Sequence, residues 1–394
     1  MSRSNKWGFP FNRKMTFMRV RWSVPVAAAL LLAVAVFPAQ ATLLSAACDQ
    51  LPDPTRWENP AVPDRGADIP IIAVHRGAAN LAPENTLDAY RYAIAYDVEM
   101  IEVDVQETLD GRFVSFHDLD VDSKTDGTGK IFLLTYDQVR ALNAADNDRW
   151  RGSEYDPAQI PSLEEILALA QDTGTGVMFD IKESVRNLAG LANLAAAYGV
   201  LDRSVFIPYF PPRGEVILAA QPTARLNFSN QFGNLPDGAP PGSLYALTQE
   251  YWSFGSSLPA FDAGDIAEIH DGCGLVLPNV YQGEVTGSEA GDLAYARSIG
   301  ADGAQVNNPD VAAEVLGEPV ATTLSLRPEG QALACLLDAE HRMGLPGKAL
   351  LLGDGSTVVT ARDGCAPLPP GRSGRIRFAG DGSALASTAV DARR

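Results

Sequence analysis

From residue 69 onward, short runs rich in apolar and β-branched residues alternate with longer stretches whose apolar positions recur every three or four residues. The runs IIAVH (71–75), MIEVDVQET (100–108), RFVSFHD (112–118), VMFDIK (177–182) and VFIPYF (205–210) predict strands. So do ARLNFS (224–229), LYALTQEYW (244–252), GLVLPNV (274–280) and DGAQVNN (302–308). Between several of them SLEEILALA, NLAGLANLAAAYGV and EAGDLAYARSIG carry the helical period. Parallel strands need a crossover of a dozen residues or more, so this alternation predicts an α/β fold with a parallel sheet under helices. The number and spacing of the runs suit a TIM-type (β/α)8 barrel better than an open sheet, with one run in surplus. The second and third are separated only by Leu109-Asp110-Gly111, too short for a crossover. The pattern does not say which of the two leaves the barrel.

The pattern changes near residue 319. Residues 320–394 are dense in Gly, Thr, Ser and Pro, with short alternating runs such as TTLSL, STVVTA and GRIRFAG. They predict a small C-terminal all-β domain, sandwich-like and folding by itself, beside a barrel over 69–319. Residues 42–68, rich in Pro, Asp and Ala, form a lead-in. No internal repeat points to a solenoid or propeller.

Composition and charge narrow the class. The chain is 46% hydrophobic and 20% charged, as globular proteins are, and its net charge of -18 excludes nucleic acid as an expected partner. The first 41 residues run against that balance. They hold Arg3, Lys6, Arg13, Lys14, Arg19 and Arg21, no Asp or Glu, an apolar run from Val24 to Phe37, and Ala39-Gln40-Ala41. This order predicts a cleavable signal peptide over 1–41 and a secreted or extracytoplasmic protein, with an uncleaved anchor as the alternative. Outside the cytoplasm the four cysteines are expected in pairs, Cys335 with Cys365 inside the C-terminal segment and Cys48 with Cys273. No CxxC spacing suggests zinc.

The polar residues with chemical potential gather at the ends of the early strands. His75 and Arg76 follow the first; Glu102 and Asp104 lie two apart on the second; His117 follows the third run's apolar part; Asp180 and Lys182 lie two apart on the fourth. Residues i and i+2 of a strand share a face, so each close pair can serve one site. Three convergent carboxylates without a cysteine make a site for one hard divalent cation, Mg²⁺ or Ca²⁺. Two histidines supply an acid and a base, and Arg76 and Lys182 suit a phosphate's non-bridging oxygens. Together they describe metal-assisted cleavage of a phosphate ester. His270 and His341 are assigned no role, and the two GDGS segments (353–356, 380–383) are turns, since no helix opening with Lys-Thr follows them.

The blocks HRGAANLAPENTLDAY, IEVDVQETLDGRFVSFHD and FDIK, with the later IGADGAQVNNPD, resemble the signature segments of the glycerophosphodiester phosphodiesterase family over about residues 70–318. The resemblance implies a barrel, a divalent cation, and hydrolysis of small or polymeric glycerophosphodiesters to glycerol 3-phosphate and an alcohol. It implies His75 and His117 as the catalytic pair, Glu102, Asp104 and Asp180 as metal ligands, Arg76 and Lys182 as phosphate binders, and Glu84 near the metal. Asp180 stands where the family usually has Glu and is expected still to ligate the metal. Two further departures concern the substrate: Asn307 stands where the family often has Asp, and PNVYQ replaces a Trp-containing block, with Tyr281 the expected stand-in for substrate binding. The alternatives are a sphingomyelinase-type phospholipase D, against which APENT speaks, and an inactive secreted binding module touching the cell envelope through its C-terminal domain.

Overall fold

The computed structural model describes residues 71–227, 246–247, 263–264, 266–267, 275–281, 286–327, 332–370 and 374–392. The expected leader (1–41), the lead-in (42–68), Cys48, Cys273 and His270 lie outside the described residues. No helix among the described residues is long and apolar enough to cross a membrane.

Chain order runs β1 (Ile71–Val74), α1 (Leu87–Ile94), β2 (Met100–Glu107), β3 (Phe113–Ser115), α2 (Tyr136–Arg140) and α3 (Leu163–Thr173). It continues through β4 (Gly176–Ile181), α4 (Leu188–Ala197), β5 (Val205–Ile207), α5 (Pro211–Ala220), β6 (Arg225–Leu226), β7 (Ala246–Leu247) and β8 (Leu275–Val276). Then come α6 (Glu289–Ser298), β9 (Gly303–Val306) and α7 (Pro309–Leu316). The sheet order is β6-β5-β4-β2-β1-β9, with all these pairings parallel. β7 and β8 form a second parallel pair, and a parallel bridge between Asn279 and Gln305 ties the chain after β8 to β9. This is the curled parallel sheet under helices that the alternating pattern predicts. The surplus run is the third: β3 folds back antiparallel on β2, with Val105 opposite Ser115 and Glu107 opposite Phe113.

The two faces of the sheet divide by alternate residues. Ile72, Val74, Ile101, Val103, Val105, Val177, Phe179 and Phe206 join the helices in the main core. Their neighbours Ile71, Ala73, Met100, Met178, Val205, Ile207 and Leu277 form a separate apolar cluster on the inner side. Counting on by twos from that inner layer reaches His75, Glu102, Asp104, Asp180 and Lys182. The barrel is thus greasy at its base and charged toward the strand ends, where sites of this fold are built.

Seven further strands follow: β10 (Thr322–Arg327), β11 (Leu333–Asp338), β12 (Ala349–Leu351), β13 (Thr357–Val359), β14 (Cys365–Pro367), β15 (Gly374–Phe378) and β16 (Val390–Ala392). They make two antiparallel sheets, β10-β11-β14 and β13-β12-β15-β16. Cys335 and Cys365, opposite each other on β11 and β14, are disulfide-bonded as expected. Closing a loop across a sequence separation of 30 is worth roughly 3–4 kcal/mol through the unfolded chain.

The apolar core of these sheets is continuous with that of the barrel helices: Leu324, Leu336, Leu350, Ile376 and Phe378 belong to the same cluster as Tyr92, Ile94 and Tyr96. Polar ties cross the same boundary. The Tyr92 hydroxyl donates to the Arg362 carbonyl, the Arg362 amide donates to Glu154, and His341 Nε2 lies 3.2 Å from Asp97 Oδ1. Deleting residues 320–394 should therefore lower the barrel's Tm by roughly 10 °C or more, because it uncovers apolar surface worth several kcal/mol. A thermal melt of the truncated chain checks this; an unchanged Tm would mean the shared core carries no stability.

Candidate active site

The turn after β1 places the first two site residues. His75 continues the ladder by donating its amide to Val306 O at 2.8 Å. Arg76 then takes a positive φ of 55°, uncommon for a residue with a side chain, and Gly77 follows at 69°. Gly77 lies so close to α1 that an added Cβ would sit 2.7 Å from the Ala89 carbonyl carbon, so the glycine of the HRG segment is a packing requirement. The Arg76 amide, turned inward by this bend, donates to Glu102 Oε2 at 2.6 Å. The same loop brings Asn85, also at positive φ, beneath Asp104. Its amide nitrogen donates to Asp104 Oδ2 at 2.7 Å, and its carbonyl accepts the Tyr90 and Ser115 hydroxyls.

Asp104 and Asp180 face each other in the β2–β4 register, and Glu102 lies one inward position below Asp104. The three carboxylates are buried and offer oxygens all within 4.8 Å of one another. Two cations run between them. Lys182 Nζ is 2.6 Å from Asp104 Oδ1 and 2.9 Å from Asp180 Oδ2; Arg76 Nε is 3.3 Å from Asp104 Oδ2, while its Nη1 binds Glu84. Tyr209, two residues past Ile207 on the inner side, donates its hydroxyl to Asp180 Oδ2 at 2.9 Å.

Electrostatics follow from this packing. Burial and the carboxylates of Asp104 and Asp180 push Glu102 well above the usual carboxylate range. Burial raises Asp104 too, but Lys182 and Arg76 outweigh it and hold Asp104 ionised. Asp180 is raised by burial, which outweighs Lys182 beside it. Both cations are raised despite burial, because Asp104 lies against each. The acids outnumber the cations among them, and Asp180 Oδ1 is buried without a hydrogen-bond partner. Such a cluster is short of positive charge, and hard oxygen donors of this kind suit a divalent cation. The residues therefore fit the group that the carboxylate pattern implies.

Both histidines lie within electrostatic reach of Asp104. His75 is stacked on Tyr281, with ring centroids 4.1 Å apart and 4° between planes, and its Nδ1 is 3.0 Å from Asn307 Oδ1. With that oxygen facing the ring, Nδ1 carries the proton and Nε2 keeps the lone pair. Burial and the Arg76 charge lower His75 to about 4, so it is neutral at ordinary pH. His117 lies beyond the end of β3, in the loop, a third exposed, with Nδ1 2.6 Å from Asp118 Oδ1. Lys124 Nζ joins Asp118 and Glu84, at 3.2 and 2.6 Å.

The structure thus gathers Arg76, Glu102, Asp104, Asp180 and Lys182 into one cluster and sets Tyr281 against His75. Glu84 is turned to Arg76 and Lys124. Several contributors escaped the sequence reading. Asn85 was hidden inside the PENT segment. Tyr209 could have been found by extending the inner alternation 205, 207, 209. Glu289 accepts the amides of Asn307 and Asn308 and is pushed up to about 7 by burial; nothing in its helical stretch marks it. His341 pairs with Asp97 at the boundary with the C-terminal sheets, and burial there is outweighed by that carboxylate, which raises it.

Residues 75–196 match the Glycerophosphoryl diester phosphodiesterase family. Glycerophosphodiester phosphodiesterase 1 of Homo sapiens is 42% identical over 108 residues, 27% of this chain and 32% of that protein. The putative glycerophosphodiester phosphodiesterase YhdW of Bacillus subtilis is 40% identical over 96 residues, 24% of this chain and 38% of that protein. The chain aligns with well under two thirds of the length of these curated relatives. A crystal structure of glycerophosphodiester phosphodiesterase from Agrobacterium tumefaciens superposes with a TM-score of 0.51 at 21% identity, over 62% of this chain and 100% of that one. The likeness is one of fold, a TIM barrel.

Proposed function

We propose, from the match of residues 75–196 to the Glycerophosphoryl diester phosphodiesterase family and from the site's geometry, that this chain hydrolyses glycerophosphodiesters to glycerol 3-phosphate and an alcohol with one divalent cation, Mg²⁺ or Ca²⁺. The observation that carries the reading is the meeting of Glu102, Asp104 and Asp180 within 4.8 Å of one another, with Arg76 and Lys182 threaded between them.

Glu102, Asp104 and Asp180 would hold the cation, which when bound supplies charge against the phosphoryl oxygens. Arg76 and Lys182 hold the non-bridging oxygens, each already positioned by a carboxylate. His75 Nε2 takes a proton from the attacking water, as its neutral, Asn307-oriented ring allows. His117 gives a proton to the departing alcohol oxygen as the phosphorus–oxygen bond breaks. Asp118 orients that ring. The Cys335–Cys365 bridge and the basic, then apolar, leader support residence outside the cytoplasm.

The full chain, incubated with glycerophosphocholine and Mg²⁺ or Ca²⁺, should release glycerol 3-phosphate. Turnover should stop in excess EDTA and return on adding either ion. Release of phosphocholine, or full turnover in EDTA after dialysis, would defeat the proposal.

A further inference from the structure

After β3 the chain leaves the barrel for an excursion with its own small core of Phe116, Val121, Ile131, Val139 and Ile160. It returns against the loop between β1 and α1. Lys124 reaches across to Glu84, and Arg149 donates to the carbonyl and side-chain oxygens of Asn80 at 2.7 and 3.1 Å. Between loop and excursion lies a cleft of about 440 Å³. We infer that this cleft receives the alcohol half of the diester and selects an uncharged, hydroxyl-bearing alcohol over a quaternary ammonium or an acyl chain. The inference rests on the phosphodiesterase reading above.

The cleft adjoins the phosphate-binding residues. Glu84 is at once a wall of the cleft and the partner of Arg76 at 3.2 Å, so a phosphate held by Arg76 lies at the cleft's end. Lys124, another wall, is bound to Asp118, the partner of His117. The ester oxygen facing the cleft is therefore the one on the His117 side, where a proton is given to the leaving alcohol. The volume is that of a small-molecule site.

The lining decides the class of alcohol. Its non-polar members are Ala79, Phe116, Ala144 and Trp150. An acyl chain would cover the many polar groups between them without replacing their hydrogen bonds, which is costly. A trimethylammonium group needs an open aromatic face, yet the Arg149 guanidinium already sits 4.8 Å over the Trp150 ring. Charges of both signs line the cleft and several cancel, Glu84 with Lys124 and Asp146 with Arg151. Donors and acceptors in mixture, without a strong field of one sign, match hydroxyl groups, which both give and take hydrogen bonds.

The test measures kcat/KM of the full-length, Mg²⁺- or Ca²⁺-loaded protein on bis(glycerol) phosphate, glycerophosphocholine and a glycerophospho-N-acylethanolamine, which share one glycerophosphate half and differ in the alcohol. The hydroxylated diester should be preferred at least tenfold. Arg149→Ala and Asp148→Ala, both exposed residues lining the cleft, should lower its kcat/KM at least fivefold more than that of glycerophosphocholine, through KM. Equal losses on all substrates, or a preference for choline or the acyl chain, would overturn the subsite while leaving the phosphodiesterase reading intact. If no diester is turned over, that reading fails, and saturation-transfer NMR with free glycerol decides the cleft alone. Signal present in the wild type and lost in Arg149→Ala supports it, and no signal in the wild type overturns it.

Discussion

Asp104→Asn should lower kcat by about 10³-fold or more, because the several kcal/mol that a bound cation contributes depend on it. No other residue of the site is so heavily used. Its two oxygens meet Lys182, Arg76 and the Asn85 amide, and its register partner is Asp180. The variant should also bind Mg²⁺ or Ca²⁺ far more weakly in calorimetry, which separates a lost ligand from a misplaced one. In the wild type the same titration should release protons, since Glu102 is held above the usual carboxylate range by burial and by its neighbours. Affinity should accordingly rise with pH as Glu102 gives up its proton. Running the titration in two buffers of different ionisation enthalpy gives the proton count. A variant that keeps wild-type affinity and turnover would remove Asp104 from the metal site.

His75→Ala and His117→Ala should each lower kcat by roughly 10²–10⁴-fold at saturating metal, the usual worth of a positioned acid or base. They should differ in rescue by an added acid. His75 is lowered to about 4 by burial and Arg76, so the base is available throughout the neutral range and is lost only as pH falls toward that value. His75→Ala should therefore remove activity evenly across neutral pH. His117 lies partly exposed beside Asp118, so an added small amine acid such as imidazole should restore more activity to His117→Ala than to His75→Ala, whose place is enclosed by Tyr281. Near wild-type kcat in either variant would strike that histidine from the mechanism.

Much of this was readable because a barrel strand has two different faces. Ile101, Val103 and Val105 interleaved with Glu102 and Asp104 state both the burial and the direction of the acids. Asp180 and Lys182 repeat the lesson on the adjacent strand. The excursion between β3 and α3 was not readable, because side chains closing local backbone turns hold it, not a period. Asp122 accepts from Gly129, Asp126 from Asn143, and Asn143 from Ala145 and Ala158. The choice between the second and third runs turned on pairing direction, which a three-residue link permits only as a hairpin. The continuity of the C-terminal sheets with the barrel helices depends on Tyr92 and Tyr96 facing outward, a tertiary fact that composition does not carry.

The hairpin of β2 and β3 has an architectural consequence. β3 hangs on the outgoing end of β2, while the parallel ladder of β2 with β4 runs unbroken from Met100 to Val105 beside it. The excursion is therefore a pendant whose length places no demand on the spacing of Glu102, Asp104 and Asp180. Lineages could lengthen, shorten or exchange its part beyond Asp118 without disturbing the acids or His117, and a protein engineer could graft one excursion for another between Asp118 and Ser162 in the same way. Innovation in what is recognised is thereby separated from inheritance of how the bond is cut.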